Sequence, residues 1–343
     1  EKTYTKYFKT EGEQGCVDET IVVEKFSDIL KPDLQAELRK RNVIFIHNRY
    51  FWVYFDDFAA VENDFQVPIY GARNLVRLEE RDQPNNQYEL LEKAGIRIPK
   101  ILRRGGEQLT EVELRTRLES HFKDSDTPLL VKANEAIRSY ERAFFIVTSP
   151  DAYFTRAQEM IETGKVKEDE VHLSVIEEFV LGAQVNFNFF YSNVRERLEL
   201  MGTDTRRQTS LDGFLRLDSG AQMELLKNGI SPSMVETGHC AVTTKESLLE
   251  KVYDAGEKFI ATLKEEVPPG MIGPFALQGA VAAEKGKEEL VIFDVSMRIP
   301  GSPGTRFTPA TGYLWGESMS YGERIGLELK EARAQNRLHT LLT

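Results

Sequence analysis

Residues 289–298 place a carboxylate, a hydroxyl and a guanidinium at alternate positions near the C-terminal end of the chain. Read as a strand, they put Val291, Phe293, Val295 and Met297 on one face and Ile292, Asp294, Ser296 and Arg298 on the other. Three such polar groups are costly to bury without partners. The preceding apolar run carries Phe275 and Leu277 on one side and Gln278 on the other, and a polar turn, Glu284-Lys285-Gly286-Lys287-Glu288, joins the two. With Gly286 at its centre, Gln278 lies opposite Asp294. Cross-strand partners have Cβ atoms about 5 Å apart, close enough for both side chains to hold one divalent ion through oxygen. Magnesium suits that pair best, because it takes few protein ligands and completes its shell with phosphates. A solvated sheet face with an Asp–Arg pair explains the alternation equally well. The loop that follows, Ile299-Pro300-Gly301-Ser302-Pro303-Gly304, favours a site, since glycines let backbone approach a phosphate closely.

The elements that must position these groups are legible in outline. The chain has 343 residues, enough for two or three domains, with 41% hydrophobic and 29% charged residues, an ordinary globular composition. A net charge of -11 argues against a nucleic-acid partner, although one cleft can still be basic. Cys16 and Cys240 are too few and too far apart for a disulfide framework or a zinc site, no apolar run approaches the ~18 residues that cross a bilayer, and no signal peptide is read, so a cytoplasmic protein without a membrane partner is expected. Residues 42–47 (NVIFIH) and 68–71 (PIYG) read as short strands, 33–40 and 88–94 as helical, and 1–98 as a small α/β domain. The opening, without methionine, reads like the middle of a domain, and an N-terminal strand and helix are expected to be missing. Beyond it, 129–132, 143–148, 171–179, 184–191 and 197–201 read as strands, and 105–126, 150–163, 248–264 and 323–335 as helical. Strands that pair mostly with sequence neighbours, with helices between, make this larger part α+β.

Four segments carry a family resemblance: VPIYGARNLVRLEE (67–80), VPPGMIGPFALQ (267–278), FDVSMRIPGSPGTRF (293–307) and SMSYGERIGLEL (318–329). Together they resemble the archaeal PurP family, formate-dependent ligases that formylate the aminoimidazole carboxamide ribotide AICAR in purine synthesis. The resemblance covers nearly the whole chain and is strongest from residue 172 onward. It implies an ATP-grasp fold over 99–343, with a nucleotide subdomain at 99–180 and a catalytic subdomain at 181–343, preceded by the α/β domain. It also implies ATP, magnesium or manganese, the substrates formate and AICAR, and assembly as a trimer or hexamer. By position, Gln278 and Asp294 match the two magnesium ligands, Asp294 being one methylene shorter than the usual glutamate. Lys132 matches the lysine that reaches the ATP phosphates, and Glu177, Glu178 and Val180 match the segment that meets the adenine. Asn186 and Asn188 match a part that lines the nucleotide cleft, and Arg298 is the candidate for holding the transferred phosphoryl group. Without the resemblance, Lys132 reads as a surface lysine and the two glutamates as a solvated strand end.

The chain departs from that family where ligands are met. Residues 133–142 contain no glycine where the family folds a glycine-rich loop over phosphates, and Glu89 replaces a lysine. His239 stands in place of an asparagine that contacts AICAR, Gln208 in place of a glutamate associated with the nucleotide, and Tyr50 in place of a small serine on the ribotide side. Arg206, Arg207 and His239 still suit a phosphorylated ligand. Three outcomes are therefore expected to compete: the formate–AICAR ligase, an ATP-grasp ligase with another carboxylate and amine, and a nucleotide-binding relative without catalysis.

Overall fold

The structure, a computed structural model, describes residues 19–48, 51–52, 55, 57–133, 144–230, 232–284, 286–301 and 310–343. Cys16, Tyr50, the glycine-free segment after Ala133 and the Ser302-Pro303-Gly304 stretch lie outside the described residues. The chain forms two compact units, Glu1–Ile69 and Tyr70–Thr343.

In the smaller unit, helix Pro32–Lys40 starts on a proline, whose fixed φ suits a first helical turn. Helix Phe58–Asn63 starts where the Asp57 carboxylate accepts the Ala60 N–H at 3.0 Å. Phe45, Phe51 and Phe65 cluster with ring centroids 4.7 to 5.5 Å apart. The strand expected over 42–47 contracts to β1 (Phe45–Ile46), and β2 (Ile69–Tyr70) lies at the unit boundary.

The larger unit contains two antiparallel sheets. A four-stranded sheet runs β3 (Ile101–Arg103), β6 (Val175–Glu178), β4 (Leu129–Lys132), β5 (Phe144–Val147). Helices Glu111–Asp124 and Pro150–Glu162 bury it through Leu114, Leu118, Val131, Tyr153 and Ile176. The first of these helices begins at residue 111 rather than 105, because Thr110 and Glu113 form a capping box there. The strand expected over 171–179 is a correction: Glu168–Leu173 is helical, and only 175–178 extends. Three acidic residues in that helix's first turn favour it through the helix dipole, and buried Arg103 donates to Val171 O at 2.7 Å and Ser174 O at 2.8 Å at its other end.

A five-stranded sheet follows in the order β11 (Lys287–Ser296), β10 (Gly273–Glu284), β7 (Gly182–Ser192), β8 (Arg197–Ser210), β9 (Met234–Ala241). Helix Glu246–Glu266 covers one face, with Phe259 6.2 Å from Phe275, which in turn stacks on Phe189 at 5.1 Å. β8 continues nine residues past the expected end at 201, and β9, read as no element in sequence, pairs with that extension. Among the described residues no helix is long and apolar enough to cross a membrane.

The β10–β11 hairpin differs from expectation in an informative way. Glu284 pairs with Lys287, so the two strands join through a tight turn, with Gly286 at φ 75°, a left-handed conformation that favours glycine. That turn alone would place Gln278 opposite Phe293. A β-bulge intervenes: Gly279 pairs with Ile292 and Gln278 with Asp294, leaving Phe293 as the extra residue. The bulge also reverses the alternation behind it. Val291, opposite Ala280, shares the Gln278 face and Ile292 does not, contrary to the simple period of two.

β11 is an edge strand, and residues 79–97 cover its outer side. Val295 N–H donates to Gln87 Oε1 at 2.7 Å, Met297 N–H to Glu79 Oε1 at 2.6 Å and Ile292 N–H to Arg97 O at 2.9 Å. Unpaired edge groups need such partners. These bonds tie residues 79–97 into the larger unit.

Gly279 sits in the tightest part of the bulge. An added Cβ there would lie 2.3 Å from Val291 O and 2.9 Å from Ile292 Cδ1. Gly279→Ala is expected to lower unfolding free energy by about 1–3 kcal/mol through overpacking, measured by chemical denaturation. Unchanged stability would show that the strands do not approach this closely.

Candidate functional site

Directly opposed residues in an antiparallel sheet point to the same face. Asp294 opposes Gln278, Gln278 opposes Asn186, and Asn186 opposes Asp204, so one polar row crosses β11, β10, β7 and β8. The row lies on the face opposite Phe189, Phe275 and the long helix. Asp204 gathers its far end: Asn186 donates to Oδ1 at 2.8 Å, Asn188 to Oδ2 at 2.5 Å, and His239 Nδ1 stands 2.5 Å from Oδ1. His239 comes from β9, opposite Arg206, and its Nε2 lies 3.0 Å from Glu236 Oε1. Two carboxylates at its two nitrogens raise the His239 pKa to about 9, against partial burial, and make it an imidazolium at neutral pH.

At the near end, the Gln278 amide is oriented by two bonds. Its Nε2 donates to Ser296 Oγ at 3.0 Å, and its Oε1 accepts from Arg206 Nη2. Arg206 Nε also lies 3.2 Å from Glu236 Oε2. Asp294 Oδ1 accepts from Arg81 Nη2 at 2.9 Å. Burial opposes the Arg81 charge, but Asp294, with Tyr88 and Glu177, more than compensates and raises its pKa.

The bulge joins this row to the four-stranded sheet. The Phe293 carbonyl, freed from the ladder, accepts from Lys132 Nζ at 3.1 Å. Lys132 also donates to Glu177 Oε1 at 2.6 Å and to Tyr88 Oη at 3.1 Å, which uses all three of its N–H donors. The Tyr88 hydroxyl reaches both Glu177 Oε2 and Phe293 O, and its one proton serves one of them at a time. Burial, then Glu177, pushes the Tyr88 pKa well above its ordinary value, so the phenol stays protonated. Burial pulls the Lys132 pKa below its ordinary value despite Glu177, and Arg81 adds to the lowering.

The remaining expected residues are placed as follows. Glu177 is buried inside the Lys132 pair rather than at a solvated strand end. Glu178 ends β6, its N–H bonded to Lys100 O, and Val180 lies in the short link between the two sheets. Gln208 donates its backbone N–H to Asp212 Oδ2 at 2.7 Å on the outer part of β8. The Arg298 guanidinium is buried against Glu79, Nη2 to Oε2 at 3.1 Å. Glu89, the expected departure, accepts the Asn85 N–H at 2.7 Å in the first turn of helix Gln87–Lys93, where a carboxylate suits the helix dipole.

Sequence reading missed Arg81, Tyr88, Glu79 and Glu236 because no periodicity links them to the sheet they serve. Asp204 was detectable: extending the β8 alternation past 201 places Asp204, Arg206 and Gln208 on one face.

Residues 152–343 match the family model described as "Domain of unknown function (DUF1297)", and residues 1–102 that described as "Protein of unknown function (DUF1246)". The chain is 32% identical over 329 residues to the 5-formaminoimidazole-4-carboxamide-1-(beta)-D-ribofuranosyl 5'-monophosphate synthetase of Methanopyrus kandleri, covering 96% of this chain and 84% of that one. It is 37% identical over 321 residues to the enzyme of the same name from Methanococcus maripaludis, covering 93% and 81%. The crystal structure of an IMP biosynthesis protein PurP from Thermococcus kodakaraensis aligns with a TM-score of 0.63 at 25% identity, over 95% of this chain and 86% of that one. D-alanine–D-alanine ligase from Bacillus anthracis aligns at a TM-score of 0.50 and 16% identity, over 92% and 84%, a likeness of fold. The fold is ATP-grasp.

The His239 pairings fix a measurable outcome. An NMR titration of its ring protons is expected to give a midpoint near 9, moving toward 6.5 in Asp204→Asn. Because the folded value lies above the unfolded one, the stability His239 contributes is fully present below about 6.5 and is lost as pH rises through about 9. A midpoint of 6.5 in the wild type would show that the carboxylates do not hold the ring.

Proposed function

This chain belongs to the PurP family of 5-formaminoimidazole-4-carboxamide ribotide synthetases, and from that premise we propose that the polar row on its five-stranded sheet carries the formylation chemistry. The protein is an ATP-dependent ligase of purine biosynthesis that formylates AICAR. The observation that carries the site assignment is the pairing of Gln278 with Asp294 across β10 and β11.

The donor set suits magnesium. An amide and a carboxylate stand at opposed positions on one sheet face, and among the described residues no group of three or more His, Cys, Asp or Glu converges into a closed cage. Such a pair fits an ion that takes most of its ligands from phosphates and water. Gln278 and Asp294 would hold it, and it would neutralise charge on the nucleotide phosphates when bound.

The reaction needs positioning and charge balance rather than a protein nucleophile. A formate oxygen attacks the γ-phosphorus of ATP, the bond to the β-phosphate oxygen breaks, and formyl phosphate and ADP form. The AICAR amine then attacks the formyl carbon, inorganic phosphate leaves, and the nitrogen loses a proton. Lys132, at the end of β4, presents its ammonium beside Asp294 and so serves the phosphates from the opposite sheet. An incoming phosphate oxygen would compete with Glu177 for its ammonium. Arg206 and His239, both cationic and both tied to Glu236, serve the phosphate or carboxamide of the ribotide. Arg298, held in place by Glu79, orients the backbone that leads into the loop after β11.

One observation favours a second reading of the amine substrate. His239 is an imidazolium with both nitrogens engaged by carboxylates, unlike the neutral amide implied by the family resemblance. A ligase acting on a different amine would keep the metal pair and change this contact.

ADP release measured with ATP, magnesium, formate and AICAR is expected to require all four, with formylated product detected by chromatography. Asp294→Asn is expected to lower kcat by about 100-fold or more, as does loss of one preorganised charge-stabilising group. ADP release that ignores AICAR, with ATP binding intact, would reject AICAR and leave the second reading. Full activity in Asp294→Asn would reject the site.

A further inference from the structure

Each residue assigned to the metal meets a guanidinium. Asp294 Oδ1 accepts from Arg81 Nη2 at 2.9 Å, and Gln278 Oε1 accepts from Arg206 Nη2. The Gln278 amide cannot turn away without losing Ser296 Oγ, at 3.0 Å from Nε2. Two guanidiniums carry the charge of one divalent ion, and they meet one oxygen of each residue assigned to it. A metal at Asp294 must therefore displace Arg81 or sit against its like charge.

Arg81 is placed for such an exchange. It comes from the loop after the 3-10 turn Val76–Glu79, not from the sheet that carries Asp294. Its side chain is 15% exposed, and its Nε has no hydrogen-bond partner among the described residues. Its Cζ lies 5.9 Å from the centre of the Tyr88 ring, which supports the cation beside Asp294. A guanidinium fork matches phosphate as well as carboxylate.

Resting on the metal assignment above, we propose that Arg81 is a cation place-holder: it pairs with Asp294 and trades that carboxylate for a phosphate oxygen when metal and nucleotide arrive together. Metal alone brings no anion to receive Arg81, so it binds weakly. Metal with nucleotide brings both partners of the exchange, so the two ligands bind cooperatively through this positioning residue. Loading is thereby conditional on the nucleotide, and a bare divalent ion does not fill the site.

Manganese binding followed by electron paramagnetic resonance tests this, with the whole chain titrated by Mn2+ alone and in the presence of a non-hydrolysable ATP analogue. Arg81→Met is expected to bind Mn2+ alone at least about tenfold more tightly than wild type, within the usual range of coupling between ligands, and to lose most of the analogue's enhancement. Arg81→Lys, which keeps the charge, is expected to stay near wild type. Unchanged Mn2+ affinity in Arg81→Met, with binding abolished in Asp294→Asn, overturns the place-holder and leaves the metal assignment standing. Unchanged Mn2+ binding in Asp294→Asn overturns both. Should Arg81→Met fail to fold, the wild type carries the test: the Arg81 Nε–H resonance is expected to shift with magnesium and the analogue together but not with magnesium alone. A resonance that ignores the pair of ligands overturns the proposal.

Discussion

The contact on which the rest of this structure depends is the hold of Lys132 on the Phe293 carbonyl. A bulge removes that carbonyl from the β10–β11 ladder, and a buried carbonyl without a donor is costly. Lys132 supplies the donor at 3.1 Å from the end of β4, and Glu177 on β6 balances its charge at 2.6 Å. Tyr88, from a third element, bridges the same groups. Two sheets and a helix thus meet at the residue immediately before Asp294. The bulge that aligns Asp294 with Gln278 is the same feature that docks the nucleotide-side sheet against it.

Around this junction the charged groups are matched in pairs: Lys132 with Glu177, Arg81 with Asp294, His239 with Asp204, Arg206 with Glu236, and Arg298 with Glu79. Lys132–Glu177 and Arg298–Glu79 are the most buried of these, and removing one partner of a buried pair typically costs about 3–5 kcal/mol. It also gives ligand binding a particular character. Phosphates entering such a face compete with carboxylates for cations already in place, and the net gain is the difference between two charge-assisted contacts rather than the whole of one. A site of this kind is poised by exchange, with little rearrangement of the sheets that carry it.

Legibility followed the range of each interaction. The strands LLVK and GPFALQ, the long amphipathic helix and the pairing of Gln278 with Asp294 were readable because they rest on local period and turn chemistry. The pairing came out as expected although the turn did not, since the two-residue turn and the bulge each shift the register by one and their effects cancel. Periodicity cannot see a bulge, so Val291 and Ile292 were assigned to the wrong faces. β9 was missed because MVETGHCA mixes apolar and polar residues without a clean period, and it extends only because β8 offers it an edge.

What the sequence by itself determined was the fold class, the ATP-grasp resemblance and the polar face shared by Gln278 and Asp294. Each depends on residues close together in the chain or on segments long enough to be distinctive. What only the tertiary structure decided was who partners whom. Arg81 reaches Asp294 across 213 positions, Arg298 finds Glu79 across 219, and Tyr88 meets Glu177 across 89. A buried charge must find an opposite charge, and the sequence states that requirement without naming the partner. The partner is chosen by how residues 79–97 close the open edge of β11, a matter of backbone hydrogen bonding between distant segments that no local pattern encodes.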